Sequence, residues 1–212
     1  MIIDAHVHPV LFEPICKDPE RVQFRKQQFG LYKSSPIPME QVMAVMDHAG
    51  VDLAFLFAED YSAVMGQSIV SNEEIRLILD TQPGRFAGFA SVDPRNEDAP
   101  AELARAFTEL KLDGLKLNLS HLQMYPDDVR LQPLYELCIA HNKPITFHCG
   151  FSWEPDSPSK YARPILYEDV AVRYPELRFC LAHLGWPWVD EVCMLLLKYP
   201  NVYTDTATVF MD

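Results

Sequence analysis

Two histidines stand two residues apart in Ile3-Asp4-Ala5-His6-Val7-His8, and in an extended strand residues so spaced project from one face. Two imidazoles on one face can grip a single cation, and neutral imidazole nitrogen suits a borderline metal such as zinc. Asp4 falls on the same alternation and is a candidate to orient a ligand ring from behind by a hydrogen bond. His-x-His pairs also occur on exposed strands, so the pair alone decides nothing. Two more histidines change that: His148 ends the apolar run Pro144-Ile145-Thr146-Phe147, and His183 ends Phe179-Cys180-Leu181-Ala182, each with a glycine close behind. A lone strand-end histidine is usually a hydrogen-bonded core residue. Three separate strands that deliver imidazoles to one face point instead to a metal site of His6, His8, His148 and His183.

The run Leu115-Lys116-Leu117-Asn118-Leu119 turns its leucines toward covering helices and sends Lys116 and Asn118 inward. Three states are open to Lys116: a carbamate bridging two metals, an ammonium paired with a substrate carboxylate, or a lysine neutralised by an interior acid. Asn118 and Asp205 are candidate substrate contacts, with a structural hydrogen bond as the competing reading for Asp205. Glu59, Asp60 and Asp93 follow strand candidates, where acids usually face solvent or cap the next helix. His48 and His141 close helical patterns, while His121, just past the fourth strand, keeps a substrate contact open. Cys149 points away from its neighbour His148, so a catalytic thiol is not expected.

These residues need a scaffold that brings strand ends together. Strand-like runs occur at 2–8, 51–58, 85–92, 113–119, 144–149, 177–183 and 201–206, separated by amphipathic stretches at a spacing typical of parallel β/α units. Leu103, Ala104, Phe107 and Leu110 recur with helical period, as do Val189, Val192, Cys193 and Leu196. The expected fold is α/β, a (β/α)8 TIM barrel, with the site at the C-terminal ends of its strands. Seven runs are one short of a closed barrel, which usually takes about 250 residues. The last β/α unit is therefore expected beyond Asp212, and 1–212 is read as one barrel domain incomplete at its C-terminus. Segment 9–38, with Pro9, Pro14, Pro19, Pro36 and Pro38 among aromatic residues, reads as a loop-like lid over the active face.

The 212 residues carry a net charge of -12, a field that repels phosphate backbones and anionic lipid, so neither nucleic acid nor membrane is an expected partner. The start MIIDAHVHPV lacks the basic and apolar parts of a signal peptide, which suggests a cytoplasmic protein. Five cysteines without a closely spaced pair read as reduced, mostly buried thiols. The expected partner is a small-molecule substrate, with a homodimer left open.

The segments Ile3-Asp4-Ala5-His6-Val7-His8, Phe147-His148-Cys149-Gly150, Leu181-Ala182-His183-Leu184-Gly185 and Asn201-Val202-Tyr203-Thr204-Asp205 together resemble the amidohydrolase superfamily. Within it they resemble the amidohydrolase-related branch that includes aminocarboxymuconate-semialdehyde decarboxylase. The resemblance implies that His6, His8 and His148 are metal ligands and that His183 contacts water or substrate at the metal. It also implies a catalytic aspartate on strand eight, which these residues do not include. The implied cofactor is a divalent metal, Zn2+ first and Mn2+ second. The implied reaction is hydrolysis of a small amide, ester or lactone by metal-activated water, with His183 in proton transfer. Non-oxidative decarboxylation of an aromatic acid and a catalytically silent barrel are the alternatives.

Overall fold

The computed structural model describes residues 1–209. Each expected strand is present and shorter than its apolar run: β1 (Ile3–Val7), β2 (Leu53–Phe57), β3 (Phe86–Ala90), β4 (Gly114–Leu117), β5 (Ile145–Phe147), β6 (Phe179–Leu181) and β7 (Val202–Thr204). All neighbouring pairs are parallel and the sheet order is the chain order. This is the (β/α) barrel progression over seven units. Among the described residues nothing pairs with the outer edges of β1 and β7.

The runs are trimmed because their last residues leave the ladder to build loops. Asn118, for example, ends β4 and accepts the His121 N–H at 3.2 Å, capping the short helix Leu119–Leu122. Register then sorts the two faces. Leu115, Ile145, Phe179 and Val202 lie side by side and are buried toward the helices. One residue on, Lys116, Thr146 and Cys180 share the opposite, inner phase. Strand β1 has a register shift between Asp4 and Val7, where three steps along β1 match two along β2. Such a bulge re-aims the side chains that follow it, here His6 and His8.

Two glycines hold the site loops together. Gly150, after His148, has φ +96°, and a Cβ there would stand 2.3 Å from the Trp186 carbonyl oxygen. Gly185, after His183, has φ +58°, and its Cβ would meet Pro164 at 2.5 Å and Val192 at 2.6 Å. Only a residue without a side chain lets these loops approach so closely.

Several expectations need correction. Segment 9–38 is not wholly loop: it contains the helix Pro19–Gln28, started by Asp18, whose side chain accepts the Glu20 N–H at 2.9 Å. Arg25 on this helix is fully buried, a position that composition alone does not predict for arginine. It donates to the carbonyl oxygens of Ile69 at 2.8 Å and Ile15 at 2.7 Å and pairs with Glu74, itself part of a capping box with Ser71. In helix Val189–Lys198 the buried residues are Val192 and Leu195, with Cys193 exposed. Leu110 falls outside helix Ala99–Thr108, which buries Ala106 instead. No helix among the described residues is long and apolar enough to cross a membrane.

Candidate metal centre

The inner ends of β1, β5 and β6 open into a cavity of about 990 Å³ lined by His6, His8, Lys116, Asn118, His148 and His183. Its floor is built by the strands. His6 and His8 leave the end of β1 with their Nε2 atoms 3.1 Å apart. The rings of His6 and His183 have centroids 4.6 Å apart, and His148 lies 5.0 Å from His183 on the far side. Phe57 packs edge-on against His6 at 4.7 Å and lies under Lys116 Nζ at 4.8 Å.

Asp205 organises this cluster. Its Oδ2 accepts from His6 Nδ1 at 2.9 Å, and its Oδ1 accepts the backbone N–H groups of His183 at 2.9 Å and Ala207 at 3.1 Å. With Nδ1–H given to a carboxylate, the His6 lone pair is fixed on Nε2, directed at His8 Nε2 and Lys116 Nζ, the latter 3.5 Å away. His183 and Leu184 both have left-handed backbone, φ 62° and 49°, a strained pair retained by the Asp205 contact. His183 Nδ1 bonds the Ala207 carbonyl oxygen at 2.8 Å, which leaves Nε2 toward the cavity.

Burial sets the ionisation states. It pushes His6 and His148 well below the ordinary imidazole range, helped by the nearby Lys116, and takes His183 down to about 4. Lys116 is also lowered by burial, against the pull of Asp205 and Glu59. Burial alone would raise the Asp205 carboxyl, but its bond to His6 holds it below the usual carboxylate range. At neutral pH His6, His148 and His183 are therefore neutral imidazoles, with the Asp205 carboxylate behind His6.

That donor set fits a divalent metal. Two imidazole nitrogens held 3.1 Å apart can share a proton or turn both lone pairs on one cation, and a His6 ring oriented by a carboxylate is the usual support of a ligand histidine. His6, His183 and Asp205 also place one donor atom each within 4.8 Å of one another. His148 stands slightly apart, its Nε2 3.1 Å from Ser152 Oγ and 3.2 Å from the Phe151 carbonyl oxygen. Asp4 is exposed and its Oδ1 accepts the His6 backbone N–H at 3.1 Å, so the carboxylate on the His6 ring is that of Asp205.

Glu59 is the residue that sequence reasoning undervalued. It is buried, and its Oε1 lies 3.1 Å from His8 Nδ1, close enough for an ion pair though not aligned for a hydrogen bond. Burial would raise its carboxyl, but His8, Lys116 and His121 hold it below its ordinary value. The inner phase of β2 continued past Phe57 reaches Glu59 and Tyr61, a signal present in the period-two pattern. Asp60 and Asp93 behave as loop acids: Asp60 accepts the N–H groups of Ser62 and Asp93, and Asp93 pairs with Arg95.

Comparison with known proteins agrees with this architecture. A 69-residue stretch is 35% identical to Protein fluG of Emericella nidulans, covering 32% of this chain and only 8% of that protein. An uncharacterized TIM-barrel protein from Bordetella bronchiseptica superposes with TM-score 0.71 at 24% identity, over 97% of this chain and 74% of that one. The 5-carboxyvanillate decarboxylase of Novosphingobium aromaticivorans, crystallised with manganese and 4-hydroxy-3-methoxy-5-nitrobenzoic acid, superposes with TM-score 0.60 at 18% identity, over 96% and 73%. The sequence profile of the amidohydrolase family, Amidohydro_2, matches residues 3–212, and the chain belongs to that family.

Proposed function

We propose that the cavity is the active site of a metal-dependent enzyme that hydrolyses a small organic substrate carrying an amide, ester or lactone. The observation that carries this reading is the His6–His8 pair, with Nε2 atoms 3.1 Å apart and His6 braced by Asp205. His6 and His8 are the nearest ligands, with His148 completing the set as the family resemblance implies. A divalent ion in this site supplies Lewis acidity, polarising a substrate oxygen and bringing the ionisation of water to about pH 7. His183 Nε2, neutral and facing the cavity, accepts and returns the proton. Lys116, buried beside His6, holds an anionic substrate group. Asn118 borders the substrate, and Asp205 acts through the two histidines it holds.

Decarboxylation of an aromatic acid is the second reading. The manganese-bound decarboxylase with the same fold favours it, and so does a buried lysine next to the ligand pair, placed to pair with a carboxylate. The metal is zinc in the first place and manganese in the second, since both accept nitrogen and oxygen donors.

The test has two stages. Elemental analysis of the purified protein should find about one zinc or manganese per chain, lost in the His6→Ala, His8→Ala double variant. Metal-loaded protein is then given ester, lactone and aromatic carboxylate panels: acid release supports hydrolysis and CO2 release supports decarboxylation. Protein that holds no metal sinks both readings and leaves the silent barrel.

A further inference from the structure

The cavity has a second polar wall beside the imidazole cluster. Glu59 and Tyr61 are two residues apart on one strand exit, and Lys116 and Asn118 on another, and all four line the cavity. Each exit thus carries one group at the level of the imidazoles and one a step further out. In that outer step the rings of Tyr61 and His121 stack, with centroids 4.1 Å apart and planes 26° apart. The stack is fixed from behind: Asn118 Oδ1 accepts the His121 backbone N–H at 3.2 Å, and His121 Nδ1 shares a 3.2 Å hydrogen bond with Ser157 Oγ. Tyr61 and Ser157 are each only 3% exposed, so these groups are built into the wall. With Nδ1 engaged, His121 Nε2 is the nitrogen left to the cavity.

Resting on the reading of this cavity as the active site, we propose that the Tyr61–His121 wall is a specificity subsite. It takes an uncharged hydroxyl at the end of a planar substrate remote from the metal, and it rejects a second carboxylate there. The phenol and the imidazole can each donate to or accept from a hydroxyl. Glu59 and Glu154 line the same cavity as the two rings, and their carboxylates repel an anion placed there, outweighing the single Arg95 cation that also acts on His121. Phe29, Phe151 and Trp186 also line the cavity, with Phe151 and Trp186 edge-on at 6.0 Å, aromatic surface that suits a flat ring.

The experiment is calorimetric binding of benzoate, 4-hydroxybenzoate and terephthalate to manganese-loaded protein, for wild type, Tyr61→Phe and His121→Asn. Metal content and melting temperature are checked for each variant. The hydroxyl should tighten binding about tenfold over benzoate, and terephthalate should bind about tenfold more weakly than benzoate. Both substitutions should remove the hydroxyl advantage while the benzoate Kd stays within about twofold. The proposal is overturned if terephthalate binds as tightly as 4-hydroxybenzoate, if the hydroxyl advantage survives in both variants, or if metal-loaded protein binds none of the three. Selective binding without turnover of any panel substrate keeps the subsite and removes only the catalytic reading.

Discussion

His6 Nδ1 and Asp205 Oδ2 stand 2.9 Å apart, so the first strand and the exit of the seventh are joined through one ring and one carboxylate. Asp205→Asn keeps the shape but removes the charge that fixes the His6 tautomer. Metal affinity should fall about 10- to 100-fold in a competitive chelator titration, with far-ultraviolet circular dichroism unchanged. Undiminished affinity would mean that the contact does not serve metal binding.

Lys116 is 2% exposed and lowered in pKa by burial, so its amine is maintained at a cost to stability. Lys116→Met should raise the melting temperature or leave it unchanged while abolishing turnover of anionic substrates. A variant that still turns over carboxylates at the wild-type rate removes Lys116 from substrate binding.

The buried imidazoles make the metal-free protein acid-labile. His183 titrates near 4 in the folded chain and near 6.5 when unfolded, so between those values the unfolded chain binds more protons and stability falls as pH falls. Above about pH 6.5 both states are neutral and this contribution is flat. Between pH 7.5 and pH 5 His183 alone should account for about 2 kcal/mol, roughly 5 °C in melting temperature, and His183→Gln should shrink the difference by that amount. His6 and His148 act in the same direction.

Gly150→Ala places a Cβ 2.3 Å from the Trp186 carbonyl oxygen at a φ of +96°. The loops after β5 and β6 must then separate. Destabilisation of about 2–4 kcal/mol by urea unfolding is expected, together with weaker metal binding, since His148 and His183 flank the affected turns.

Arg25→Ala would leave Glu74 with Arg21 as its remaining cation and two buried carbonyl oxygens without their Arg25 donor. A loss of about 3 kcal/mol is expected, with hydrogen exchange accelerating first in the segment around Pro19–Gln28. Uniform acceleration across the sheet instead would show that this helix is not a separately anchored unit.

Strand positions and the inner phase of the site residues were readable because both follow from period-two patterning, which is local. Lys116 and His148 lie on the inner phase that their neighbours predict, whereas the facing of Asp205, preceded by Tyr203 and Thr204, was decided by the structure. The bulge in β1 was not readable, because register depends on the partner strand and nothing in Ile3-Asp4-Ala5-His6 specifies it. Glu59 was legible only as a loop acid on that pattern, because its approach to His8 is a contact between separate strands.

By itself the sequence determined an α/β succession of seven parallel strands, histidines at three strand ends, and an interior lysine. Hydrophobic periodicity and turn residues act over a few positions and carry that much. Only the tertiary structure decided that Asp205, not Asp4, holds the His6 ring, that Glu59 backs His8, and that the segment after β1 is anchored by a buried arginine. Apart from the Arg25–Ile15 bond, 10 positions apart, those are contacts between residues 44 to 199 positions apart, set by how strands and loops pack.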